Sequence, residues 1–199
     1  MGGTAAAASW YERLCAVPGG VNSFAPASLV ADGQGPGGGA PALLALEAAR
    51  ELRLPSPVIR ANPSPEAEQM VGVPTWLWVD PSIWRSVSAT AAVPGESVTA
   101  TATPRSVVWR TGDGAVVSCA GPGTPYTSPA DPNSPSPDCG HTYLRSSAGR
   151  PEDAFRVAAT INWDVAWAGG GQQGTFLGLQ TTATVSFRVA EAQAILTSS

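Results

Sequence analysis

The chain has no lysine. All eleven basic residues among its 199 are arginine. That absence excludes the loop G-x-x-x-x-G-K-[ST], whose lysine reaches the phosphates of a nucleotide. The bias reflects high-GC coding more than chemistry, because arginine codons are GC-rich and lysine codons are not. Histidine is nearly missing as well: His141 is the single one. A histidine-based hydrolytic triad or a zinc site would have to be built on it, and no G-x-S-x-G elbow accompanies it. Charge is sparse, 13% of residues with a net of −4, and no basic stripe forms in the sequence. A nucleic-acid partner is therefore not expected. No stretch approaches the ~18 uninterrupted apolar residues of a membrane span. The opening segment, 1–14, lacks a basic start followed by an apolar core, so no signal segment is read there.

What the chain has in quantity is turn formers. Gly 22 and Pro 19 make up a fifth of it, and both residues break helices and build turns, which favours a loop-rich β fold. Residues 1–40 read as a flexible N-terminal segment. In it Trp10, Tyr11, Leu14 and Cys15 form a short apolar cluster, and 31–40 (ADGQGPGGGA) is a linker by composition. Residues 41–54 read as an amphipathic helix. Pro41 suits its first turn, two apolar rows run through it (Leu43, Leu46, Ala49 and Leu44, Ala48, Leu52), and Pro55 and Pro57 end it. The stretch 55–70 is a proline-rich, extended linker.

From Val71 the hydrophobic period changes to two. Trp76 and Trp78 share a face opposite Leu77 and Val79. Val87–Val93 and Val98–Thr103 alternate on either side of Pro94-Gly95, the clearest hairpin signal present. Ser106–Arg110 is a short strand, with Val107 and Trp109 on one face. It runs into the turn Gly112-Asp113-Gly114 and returns over Ala115–Cys119. After a Pro/Ser/Asp loop at 120–138 and a turn at 148–153, Phe155, Val157, Ala159, Ile161, Trp163, Val165 and Trp167 all point one way. Gly169–Gly174 is a hairpin loop. The last strand turns Ala183, Val185, Phe187 and Val189 inward. Seven or eight short strands at regular spacing, with no βαβ alternation, specify an all-β antiparallel sandwich over 71–195.

The order Trp109…Gly112-Asp113-Gly114, then Gly140-His141-Thr142-Tyr143, then Phe155-Arg156-Val157, resembles the polycystic-kidney-disease-type (PKD) domain, where a W-x-x-GDG turn precedes an H-x-Y corner and an alternating strand. The segments VGVPTWLWV (71–79), CAGPGTPY (119–126), SPDCGHTY (136–143) and RSSAGRP (145–151), with the tryptophan-rich strand and the tail 189–194, resemble a group of exported actinomycete proteins often labelled ATP/GTP-binding. The PKD resemblance implies an immunoglobulin-like fold in an exported or cell-surface protein, serving adhesion, spacing, or contact with protein or carbohydrate. It also implies a structural role for His141, through a hydrogen bond from ring to backbone. Exported relatives begin with a signal segment, so the resemblance leads to the expectation of a start that is truncated, misassigned or engineered.

Four further readings follow. Cys119 and Cys139 bracket the proline-rich loop at points the fold returns close together, so a disulfide is expected between them; two buried free thiols are the alternative, and Cys15 is left over. Asp113 sits in a turn where its carboxylate either accepts backbone N–H groups or, with Asp131 and Asp138, ligates calcium; no other cofactor is expected. Trp76, Trp78 and Trp84 with Arg85 form a candidate binding surface for a protein or a cell-wall polysaccharide. The expected function is accordingly a non-catalytic module, extracellular or at the cell surface, that binds or spaces in an envelope assembly. Two alternatives stand beside it: a carbohydrate-active hydrolase using Asp113 and Asp138 as paired acids, and an accessory subunit docking a partner through helix 41–54.

Overall fold

The computed structural model describes residues 40–191 apart from Pro129 and Pro132, with the backbone alone at Leu177. The expectations for 1–39, including the short apolar cluster and Cys15, lie outside the described residues. Within them run α1 (Ala40–Glu51), β1 (Ile59–Asn62), β2 (Gln69–Met70), β3 (Pro74–Val79), β4 (Val87–Val93), β5 (Glu96–Arg110), β6 (Val116–Cys119), β7 (Gly140–Thr142), β8 (Phe155–Gly169), β9 (Gln172–Phe187) and β10 (Val189–Ala190). The larger sheet has the order β4-β5-β8-β9, with β6 also on β5; the smaller has β1-β3-β7, and β2 pairs with β10. All pairs are antiparallel except β2–β10. The fold is thus all-β, with sheets whose buried faces share one apolar cluster.

Alternation decides the larger sheet. Every inward residue of β8 from Phe155 to Trp167 is at most 5% exposed, because a pleated strand sends successive side chains to opposite faces. Against that row pack Val107, Trp109, Val98, Ala100 and Ala102 of β5 and Phe187 of β9. On the solvent side of β4 and β5, hydroxyls pair across the strands at 2.8–3.0 Å: Thr90 with Thr99, Ser88 with Thr101, Ser86 with Thr103. The Pro94-Gly95 hairpin forms as expected, with Val93 opposite Glu96. Gly169–Gly174 is mostly strand. The turn itself is Gly170-Gly171, both with positive φ, the conformation that a two-residue hairpin of type I′ requires.

Three expectations are corrected. Ser106–Arg110 is not a separate short strand but the second half of the 15-residue β5. The register shifts between Pro104 and Ser106. Pro104 stands where β4 has already ended, at the Val87–Ala102 pair, and β6 has not begun, at Val107–Cys119. On that edge of β5 its missing N–H has no strand to bond, and on the other it stands opposite Trp163 of β8, beside the register shift where proline is tolerated. The stretch 55–70 is more than a linker, since Ile59–Asn62 pairs along β3 and Gln69–Met70 pairs with β10. The flanking prolines mask a four-residue strand that buries only Ala61. The helix is shorter than 41–54, and of its two rows the one through Leu44, Ala48 and Leu52 faces the core, joined there by further small residues. Pro41, Ala45, Ala48 and Ala49 are buried while Leu43 is 64% exposed. Small side chains let α1 lie close across β4, β5 and β8, so this face is occupied by the chain's own sheet.

Candidate functional site

The two motif corners meet. The β5–β6 hairpin closes with the Thr111 N–H donating to Ala115 O at 3.2 Å, and Asp113 projects from its tip toward β7. Strand β7 is held on β3 by the pairs Pro74–Thr142, Thr75–His141 and Trp76–Gly140, which presents the His141 ring to the hairpin. Asp113 Oδ1 accepts from Thr111 Oγ1 at 2.6 Å and from the Ala115 N–H at 3.1 Å. Asp113 Oδ2 accepts from His141 Nε2 at 2.8 Å. A carboxylate only accepts, so Nε2 carries the hydrogen. Burial alone would lift the Asp113 carboxyl; the hydrogen bonds from Thr111, His141 and Ala115 outweigh it and hold the group below the ordinary carboxylate range.

The contacts continue into the core. The His141 ring stands edge-on to Tyr143, with centroids 4.6 Å apart, and Tyr143 stacks on Phe155 at 5.4 Å. The buried Tyr143 hydroxyl donates to Thr111 O at 3.2 Å. Burial, followed by the Asp113 charge, pushes that phenol above its ordinary range. Arg145 donates to Asp113 O at 2.8 Å. Gly112 has φ +84, and a Cβ there would meet the Arg156 backbone at 2.8 Å, so the hairpin presses on the start of β8 in a way only glycine permits. Trp109, fully buried, fills the space beneath. The partner of the His141 ring is a side-chain carboxylate and not the backbone that the resemblance implied. The residue that sequence reasoning missed is Thr111. Its hydroxyl donates to the same Asp113 oxygen that takes the Asx-type bond from the Ala115 N–H, two residues on from the aspartate.

The other acids go elsewhere. Asp138 accepts from the Thr124 N–H and Oγ1, both at 3.0 Å, and from Ser136 Oγ at 3.2 Å. Asp131 accepts from the Asn133 N–H at 2.9 Å. Each carboxylate orders its own turn, and among the described residues no three His, Cys, Asp or Glu side chains converge as a metal group. An Asp–His pair is the orienting half of a hydrolytic triad, yet among the described residues no hydroxyl or thiol bonds the second ring nitrogen of His141. A hollow of about 360 Å³ beside β7 contains Asp138 and His141; one of about 590 Å³ over Thr99, Thr101 and Gln173 contains no acid. Neither holds two carboxylates.

Cys119 and Cys139 form a disulfide, Cα atoms 5.7 Å apart. It ties β6 of the larger sheet to the residue before β7 of the smaller one. The tryptophans separate. Trp163 and Trp167 are core, as expected. Trp76 is buried under the 120–138 loop, donating to Ser134 O at 2.7 Å and meeting Tyr126 edge-on at 5.3 Å. Trp84 is half-buried against the core cluster, and Arg85 is exposed. Trp78 is half-buried on the outer side of β3, opposite Arg60, whose guanidinium pairs with Asp80 at 3.1 Å. Trp76 is thus withdrawn from the expected surface, while Trp78 beside the Arg60–Asp80 pair, Trp84 and Arg85 keep accessible area. Comparison of the chain with protein-family models, curated proteins and solved structures finds no match in any of the three.

Proposed function

We propose that the chain is a non-catalytic module of an exported or cell-surface protein, an immunoglobulin-like sandwich of PKD type that binds, adheres or spaces. The observation carrying this reading is the fate of the motif residues: Asp113, His141, Thr111 and Tyr143 are bonded to one another across the two sheets. They form a joint, in which these side chains are engaged with one another. The disulfide supports an oxidising compartment. Trp78 with Arg60 and Asp80 supports a contact surface, since an aromatic face beside a fixed polar pair suits sugars and protein side chains alike. Protease treatment of intact cells of the source organism tests the location: digestion of the protein before lysis is expected, with Cys119 and Cys139 oxidised. Protection until lysis, with both thiols reduced, would overturn it. A hydrolase reading would return if purified protein cleaved a polysaccharide and Asp113→Asn, still folded, abolished the cleavage.

A further inference from the structure

Arginines that are far apart in sequence come together at one end of the larger sheet. Arg110 lies opposite Ala158, and Arg156 lies opposite Ser186. Arg188 follows Phe187, the last residue of β9 paired with β8, and continues the outward alternation of Thr182, Thr184 and Ser186. The three occupy successive diagonal positions on β5, β8 and the end of β9, each about 7–8 Å from the next, and all are exposed. Arg50, Arg60 and Arg105 have acidic partners, but no carboxylate of the described residues comes within 4.0 Å of these three guanidinium groups. The acids nearest in sequence are Asp113, whose carboxylate is engaged by His141 at 2.8 Å, and Glu152, Asp153 and Glu191. Asp164, on the same face, is engaged by Arg105 at 3.1 Å. Between and beside the arginines stand Thr184, Ser186 and Ser118, all exposed hydroxyls.

We propose that this diagonal of Arg110, Arg156 and Arg188 is the binding surface for an acidic polysaccharide. In a chain of net charge −4, an unpaired row of one sign is complementary to a polymer of the other. Arginine forks bind carboxylates bidentately, and the intervening hydroxyls can bond sugar hydroxyls. The surface is a flat strand face, which suits an extended chain more than a small molecule needing a concave pocket. This face has no aromatic side chain among its outward positions, and single-stranded nucleic acid relies on such stacking platforms. The inference adds a partner class to the binding role proposed above and rests on that reading. It concerns the other sheet from Trp78.

Titration of the purified chain with polygalacturonate, and with neutral dextran as control, tests it. Binding of polygalacturonate at about 50 mM salt, weakening as salt rises, is expected. The variant Arg110→Gln/Arg156→Gln/Arg188→Gln, with an unchanged melting temperature, is expected to bind at least about tenfold more weakly. Arg50→Gln/Arg53→Gln, which removes two charges from the last turn of α1 and the segment just after it, is expected to bind as the parent does. No binding of polygalacturonate, equal binding by the triple variant, or equal losses in both variants would overturn the proposal. So would tighter binding of a single-stranded oligonucleotide than of the polyuronate. Trp78→Ala keeps the two readings distinguishable, because it leaves this binding intact whichever way the Trp78 surface behaves.

Discussion

Asp113 concentrates the chemistry of the fold in one side chain, since it accepts from Thr111 and Ala115 of the β5–β6 turn and from His141 of β7 together. Asp113→Asn keeps the shape but loses the charge and one acceptor oxygen. It is expected to lower stability by about 1–3 kcal/mol at pH 7. The pH dependence has a definite sign. The folded carboxyl is depressed below its ordinary value of 3.8, so its contribution is complete above that value and disappears as pH falls through the lower folded one. Urea denaturation of both proteins should show a gap at pH 7 that narrows below about pH 4; a gap independent of pH would mean that ionisation of Asp113 contributes nothing. At this scale the sequence was readable in part. The GDG turn and the H-x-Y corner were visible as local patterns, and Asp113 as a turn carboxylate. Their union was not, because the stretch separating Asp113 from His141, 28 positions on, carries no signal of which side chain the ring would meet.

Among the elements, α1 shows where pattern reading favours large residues over small ones. Its buried face follows 3.6-residue spacing through Ala45, Ala48, Ala49 and Leu52, yet the leucines draw attention first. Ala48, with no exposed surface, has no room to grow. Ala48→Leu is expected to destabilise by about 1–3 kcal/mol, whereas Leu43→Ala, on the exposed side, should change stability by no more than about 0.5 kcal/mol. Thermal melting of the pair checks this assignment of faces, and reversed effects would refute it. The disulfide belongs to the same scale. Replacing Cys119 and Cys139 by serine opens a loop with a sequence separation of 20 and is expected to cost about 3 kcal/mol in the chain-entropy model. Denaturant midpoints of the two proteins measure it; equal midpoints would show that the loop is already ordered without the bond. Its anchors make that comparison informative, since Trp76 ties the 120–138 loop to β3 while the Tyr126–Ala130 and Thr124–Asp138 bonds brace it internally. The hairpins and the inward row of β8 were legible because period-2 alternation states both strand and face. β1 and β2 were not, because four residues and two are too short to show a period.

For the whole molecule, the buried residues of α1, the smaller sheet and the larger sheet belong to one cluster. Unfolding is therefore expected as a single transition, with tryptophan emission and far-ultraviolet circular dichroism melting together. Separated transitions would reveal that the helix or the smaller sheet comes away alone. Sequence composition gave the all-β class, through its turn formers and the absence of βαβ alternation. The division into two sheets depended on long-range pairings such as β3 with β7, which no local pattern encodes.

The bonds that join the sheets, from Asp113, Tyr143 and the disulfide, all engage the half of the larger sheet that includes Val107–Arg110 and the hairpin beyond it. The two-residue turns at Pro94-Gly95 and Gly170-Gly171 lie at the opposite end of the 15-residue strands β5 and β8. Lengthening a surface loop is inexpensive, about 0.6 kcal/mol for each doubling. Insertions at those turns would leave every joint untouched, so a lineage built on this frame can acquire new loops at one end while the other end stays fixed.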